Sequence, residues 1–136
     1  MLLVDRLDQA LARLDRHRAT IGVLFLDLDR FKMVNDSRGH AAGDHVLQEV
    51  ARGLSATVRR GDTVARFGGD EFVILCENLT GDEVIRSARR EDRNRARATV
   101  RLRRTRALPQ CSIGIATSDD WRRGAEELVR DADSAM

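Results

Sequence analysis

Two short runs rich in β-branched and aromatic residues, Thr63-Val64-Ala65-Arg66-Phe67 and Glu71-Phe72-Val73-Ile74-Leu75-Cys76, flank the pair Gly68-Gly69. Two adjacent glycines supply the positive φ angles of a tight two-residue turn, so this segment predicts a β-hairpin. An isolated hairpin is marginal in water, so its apolar faces must be covered by other strands and helices. The rest of the chain has to supply that cover.

Its elements are legible. Leu3, Leu7, Leu11 and Leu14 recur at helical spacing, and the basic cluster Arg16-His17-Arg18 suits a helix C-terminus, which predicts a helix over about residues 2–17. The near-continuous apolar run from Ile21 to Leu28 reads as a buried central strand that turns acidic only at Asp27 and Asp29. A short helical piece over 31–36, a loop at Gly39-His40 and an amphipathic helix carrying Val46, Leu47, Val50, Leu54 and Val58 follow, with a stop near Gly61. Thr80 and Glu83 form a capping box for a further helix. Cys111-Ser112-Ile113-Gly114-Ile115-Ala116 is another strand, and residues 124–136 predict a closing helix. Strands and helices alternate while one hairpin is antiparallel, so the expected class is α/β in the α+β sense: a mixed central sheet flanked by helices.

At 136 residues, the chain is expected to form one domain over 1–136. No run of eighteen apolar residues is present and the N-terminus meets Asp5 too early for a signal core. A cytoplasmic domain without membrane insertion is the expectation. Cys76 and Cys111 each sit in an apolar run and read as free core thiols. Ten of the 24 basic residues are arginines between Arg86 and Arg106, opposed only by Glu91 and Asp92. With no aromatic interleaved, they read as a solvated face rather than a nucleic-acid surface.

The chemistry concentrates at the hairpin. Packing it beside the strand ending in Asp27-Leu28-Asp29 brings Asp70 and Glu71 to the same rim, and acids clustered there are costly unless a cation sits among them. Oxygen-only ligands favour magnesium or manganese over zinc, and such an ion commonly keeps substrate phosphates in its coordination sphere. Glycines in the turn let a phosphate or base approach the backbone. This predicts a metal-assisted phosphoryl- or nucleotidyl-transfer site. His40 and His45, five residues apart across a loop, are poorly spaced for chelation, and Trp121 has no assigned role.

Four separate motifs then fall in a familiar order: Phe25-Leu26-Asp27-Leu28-Asp29-Arg30-Phe31-Lys32 with Asn35-Asp36; Gly39-His40 with Gly43-Asp44; Arg66-Phe67-Gly68-Gly69-Asp70-Glu71-Phe72; and Ser112-Ile113-Gly114-Ile115-Ala116. In these the chain resembles the GGDEF domains of bacterial diguanylate cyclases over nearly its whole length. The resemblance implies a palm-like fold similar to that of nucleotide cyclases and polymerases. It implies condensation of two GTP molecules into cyclic di-GMP and pyrophosphate between two facing protomers. Mg2+ or Mn2+ would be held by Asp27, Asp70 and the carbonyl of Leu28, with Gly68, Gly69 and Glu71 completing the catalytic segment. Asn35 and Asp44 look like guanine readers, and Phe31 and Lys32 like phosphate contacts. Arg59-Arg60-Gly61-Asp62 resembles the family's product-inhibition motif, with Arg90 as its second arginine.

The family usually shows an Asp-x-Leu-Thr-Gly-Leu-x-Asn-Arg segment before the first helix and a Tyr-x-Ala-Lys continuation of the last one. This chain carries neither, so it is expected to be trimmed at both ends and to lack a phosphate-binding lysine. Arg93 to Arg106 interrupts the family's apolar pattern and is expected to be irregular. Two readings follow: a cyclase domain fused to sensory or phosphodiesterase modules, or a non-catalytic module that binds GTP or cyclic di-GMP.

Overall fold

A computed structural model of the chain describes residues 2–14, 19–79, 95–101 and 110–136. Its elements are α1 (Leu2–Leu14), β1 (Thr20–Leu28), α2 (Phe31–Arg38), α3 (His40–Thr57), β2 (Thr63–Arg66), β3 (Glu71–Leu79), β4 (Arg95–Arg101), β5 (Gln110–Ser118) and α4 (Ala125–Ser134). Residues 15–18 and the helix expected from Thr80, which would carry Arg90, lie outside the described residues.

The five strands form one sheet in the order β2-β3-β1-β5-β4. All four neighbouring pairs are antiparallel. The α+β class holds, but the expected mixture of parallel and antiparallel pairs is absent among the described strands. The reason is that β2, β1 and β4 run the same way, and β3 inserts between β2 and β1 while β5 inserts between β1 and β4. The long apolar run lies at the centre, as its composition predicts: β1 pairs with β3 on one side and β5 on the other.

Alternation along β1 divides the core into two layers. Ile21, Val23 and Phe25 join Val73, Leu75 and Ala116 beneath α1 and α4, where Leu3, Leu7, Leu11, Leu128 and Val129 cover them. Leu26 and Leu28 join Phe72, Ile74, Cys111 and Ile113 beneath α2 and α3, capped by Phe31, Leu47, Val50 and Leu54. The helically spaced leucines of α1 therefore find their partner in the sheet.

Three local features differ from expectation. The break between α2 and α3 is a single residue, Gly39, at φ 81°, a value that a side chain would strain. Arg95 to Arg101, expected to be irregular, is the edge strand β4 paired with β5. Its sequence alternates Arg-Ala-Arg-Ala-Thr-Val-Arg, a period-two pattern hidden by its charge, and charged edge strands resist pairing with other molecules. Finally, neither Gly68 nor Gly69 has a positive φ. The hairpin exists, with Arg66 opposite Phe72, but its connection runs through residues 67–70 instead of a two-residue turn.

Candidate active site

The rim at the end of β1 is where the predicted acids meet. Asp27 lies opposite Glu71 in the β1–β3 register. By alternation both belong to the α1/α4 face, following Phe25 and preceding Val73. The loop ahead of β3 is tied to the same strand end, because the Leu28 N–H donates to the Asp70 carbonyl at 3.3 Å. Phe67 packs edge-on against Phe25, ring centroids 5.4 Å apart, although half of it stays exposed. The central strand and the glycine-bearing loop therefore converge, as the sequence predicted.

Asp27 feels the result. Burial pushes its carboxyl above the ordinary value, and the charges of Asp70, Glu71, Asp29 and Asp133 push it further. Two of these acids were not assigned roles by sequence reasoning. Asp29 accepts a 3.0 Å hydrogen bond from Ser112 Oγ, and its N–H donates to the Gln110 carbonyl at 2.9 Å, so β5 fixes it. Asp133 arrives from α4. Gly114 permits this approach, since a Cβ there would overlap the Ala132 carbonyl. The Asp-x-Asp pattern was the signal available for Asp29; nothing in the local sequence marked Asp133.

Among the described residues, no three His, Cys, Asp or Glu side chains gather closely enough to hold a metal ion together. Glu71 turns its carboxylate over Gly68, where a Cβ would overlap Oε2, and Asp29 is engaged by Ser112. The set that remains is Asp27 and Asp70, with the Leu28 carbonyl at the same strand end. Oxygen donors of this number fit Mg2+ or Mn2+, whose other positions are filled by water and phosphate oxygens.

On the opposite face, Asp44 lines a cleft of about 320 Å³ together with Gln48, Arg66 and Phe72. Asn35 sits beside it between α2 and α3. Its side-chain oxygen lies against Gly43, the neighbour of Asp44, where a Cβ would overlap it. That buried oxygen has no hydrogen-bond partner among the described residues, an arrangement that calls for a donor from outside. Phe31 is buried and its ring touches the same helix junction, whereas Lys32 is exposed at the start of α2. The residue before α2, Arg30, adopts the left-handed conformation at φ 61° and offers no side-chain cap to the first N–H groups of α2.

Arg59 and Asp62 form a closed turn: the Arg59 N–H donates to Asp62 Oδ2 at 3.0 Å and the Asp62 N–H to the Arg59 carbonyl at 3.0 Å. This turn leads into β2, so it lies at the far end of the hairpin from Gly68, about 13 Å away by four strand residues. Burial, and then the charge of Asp62, pushes the nearby Cys76 thiol up to about 11, while Arg59 opposes them. His40 and His45 are both exposed.

The family model "Diguanylate cyclase, GGDEF domain" matches residues 1–136. The bifunctional diguanylate cyclase/cyclic di-GMP phosphodiesterase MucR of Pseudomonas aeruginosa is 42% identical over 136 residues, covering 100% of this chain and 20% of that protein. The cyclic di-GMP phosphodiesterase PdeR of Escherichia coli is 34% identical over 132 residues, 97% of this chain and 20% of its own length. Diguanylate cyclase TpbB of P. aeruginosa is 40% identical over 133 residues, 96% of this chain and 30% of its length. The chain thus spans less than a third of each of these relatives. Among solved structures, the GGDEF domain of TpbB matches with a TM-score of 0.74 at 35% identity, covering 98% of this chain and 84% of that one. The coiled coil and GGDEF domain of DgcB from Caulobacter crescentus, in complex with c-di-GMP, matches with a TM-score of 0.71 at 25% identity, covering 96% and 70%. A match over all 136 residues, on top of acids that meet at the predicted rim, establishes the chain as a GGDEF domain of the diguanylate cyclase family.

Proposed function

We propose that the chain works as one nucleotidyl-transfer domain that condenses two GTP molecules into cyclic di-GMP and pyrophosphate. The observation that carries this reading is the meeting of Asp27, Asp70 and Glu71 at one sheet rim, with Asp27 opposite Glu71 and the Asp70 carbonyl bonded to Leu28. Curated relatives named as diguanylate cyclases support it.

In this reading Asp27, Asp70 and the Leu28 carbonyl hold Mg2+ or Mn2+, which supplies charge to the substrate phosphates when bound. Asn35 and Asp44 accept hydrogen bonds from the ring N–H and exocyclic amine of guanine, which adenine does not present in that arrangement. Lys32 and the N–H groups at the start of α2, which no side chain caps, face the terminal phosphates, with Phe31 anchoring that helix to the core. Gly69 leaves room for the nucleotide, while Gly68 leaves room for the Glu71 carboxylate. The 3′-hydroxyl of one GTP attacks the α-phosphorus of the other, forming a P–O bond and releasing pyrophosphate as the α–β bridge breaks. Glu71 takes the hydroxyl proton. A second, reciprocal transfer closes the ring, so two protomers must face each other and a homodimer is required. Arg59 and Asp62 bind the product and slow the reaction; Arg90, the remaining member of that set, lies outside the described residues. The domain is cytoplasmic and belongs to a longer protein with sensory or phosphodiesterase modules. No helix among the described residues is long and apolar enough to cross a membrane.

Incubation with GTP and Mg2+, followed by chromatography, tests the proposal. Cyclic di-GMP should form, and Asp70→Ala should abolish its formation while leaving product binding at Arg59 in place. GTP binding without any product, in the chain and in its parent protein alike, would instead favour a regulatory GTP- or cyclic di-GMP-binding module. The likeness to PdeR, named for phosphodiesterase activity, is the observation on that side.

A further inference from the structure

Arg66, the last residue of β2, makes an unusual set of contacts for an exposed arginine. Its Nε donates to the Gly68 and Gly69 carbonyls, both at 3.1 Å, and its Nη2 donates to the Gly69 carbonyl at 2.7 Å. No carboxylate competes for it among its described hydrogen bonds and ion pairs. One guanidinium thus grips two consecutive peptide units of the loop that carries Asp70.

A trans peptide is planar, with its N–H directed opposite to its carbonyl. No cis bond occurs among the described residues. Because the Gly68 and Gly69 carbonyls point at Arg66, the N–H groups of the same two units, those of Gly69 and Asp70, point away from it. Neither N–H has an acceptor among the described residues. Gly69 is exposed and a Cβ there would meet nothing within 4 Å, so a ligand can reach this backbone. Consecutive N–H groups aimed outward from a loop form an anion receptor. The remaining ties of the loop are the bonds of the Phe67 and Gly68 N–H groups to the Glu71 carbonyl, at 2.9 and 3.5 Å, and the bond that the Asp70 carbonyl accepts from the Leu28 N–H. None of these fixes the plane of the Gly68–Gly69 peptide.

We propose that Arg66 is a positioning residue which, by gripping the Gly68 and Gly69 carbonyls, presents the Gly69 and Asp70 N–H groups to a phosphate of the bound nucleotide. Without the grip these peptide planes rotate, and a carbonyl oxygen can replace an N–H where the anion must sit. Arg66 also lines the cleft that holds Asp44, so the same side chain joins the wall of the proposed base pocket to the turn. The proposal rests on the nucleotide reading of the site, and the test separates the two.

The 136-residue chain is titrated with Mg2+ and a GTP analogue whose α–β bridge cannot be cleaved, while backbone amide resonances are followed by NMR. The wild type should show the Gly69 and Asp70 amides moving downfield together with resonances near Gly43 and Asp44. Arg66→Ala should keep the Gly43 and Asp44 response, lose the Gly69 and Asp70 response, and weaken binding about tenfold, as the loss of a well-placed charge-facing hydrogen bond does. Guanidinium ion should restore part of it. Arg66→Lys, which keeps the charge but not the planar fork, should fall between the two. In turnover, kcat should fall more than KM rises. Arg66→Ala or Arg66→Lys with unaltered Gly69 and Asp70 responses and unaltered affinity overturns the proposal. A wild type in which neither pair of resonances responds overturns the nucleotide reading itself, and this inference with it.

Discussion

Asp27 and Glu71 stand opposite one another across the central ladder, Cα partner to Cα partner, and the Asp70 charge acts on Asp27 as well. Like charges in that position destabilise a sheet. Burial and its acidic neighbours raise the Asp27 carboxyl above its ordinary value. A raised carboxyl means that the folded chain holds its proton more tightly than the unfolded one, so this group favours folding at low pH and loses that contribution as pH climbs through the folded value. Asp27→Asn should therefore raise the melting temperature of the metal-free chain at pH 7. Mg2+ should stabilise the wild type and leave Asp27→Asn unmoved. Thermal melts with and without Mg2+ check both outcomes, and an Asp27→Asn chain that melts below the wild type without metal contradicts the electrostatic account.

Gly43 holds the guanine-side geometry through what it lacks. A methyl there would overlap the Asn35 side-chain oxygen and crowd the Phe31 ring. Gly43→Ala gains helix propensity of up to about 1 kcal/mol, so α3 should survive. The Asn35 amide, however, must move. GTP affinity, measured by calorimetry, should fall about tenfold, equivalent to one displaced hydrogen bond of about 1.4 kcal/mol.

Gly114 allows two backbones to touch. Its missing Cβ makes room for the Ala132 carbonyl and the Met136 N–H at the end of α4. Unlike a side chain, a backbone cannot rotate out of the way. Gly114→Ala should cost about 1–3 kcal/mol by overpacking, visible as a lower urea midpoint with an unchanged slope. An unaltered midpoint would show that α4 does not seat on β5 in this way.

Cys76 reports on the Arg59–Asp62 turn. With its thiol pushed up to about 11, little thiolate exists at pH 8, and alkylation by iodoacetamide should run roughly a hundredfold slower than for a free cysteine. Asp62→Asn removes a charge that raises the thiol and should speed the reaction, whereas Arg59→Ala should slow it. If neither substitution changes the rate at fixed pH, the turn does not face Cys76.

Much of the fold is legible in the sequence. The apolar run of β1 ending in acids, the hairpin around Gly68-Gly69 and the leucine spacing of α1 are local patterns whose period is imposed by backbone geometry. So are the candidate acids at the strand ends, which fall at the rim that the hairpin must share. Other readings erred where charge hid a pattern or where sterics offered two solutions. β4 alternates in period two beneath its arginines, and the two glycines serve clearance for Glu71 and for approach from solvent instead of positive φ.

Local periodicity and motif spacing in the sequence therefore determined the elements, the family and the acids of the rim, because those depend on neighbours a few residues apart. Only the tertiary structure decided that β3 lies between β1 and β2, that Ser112 holds Asp29 across 83 residues, that Asp133 joins the acids through Gly114, and that Arg66 grips the turn. Each of these depends on contacts between segments distant in the chain, on how closely two backbones can pack, or on which way a peptide plane faces, and none of those leaves a period in the sequence.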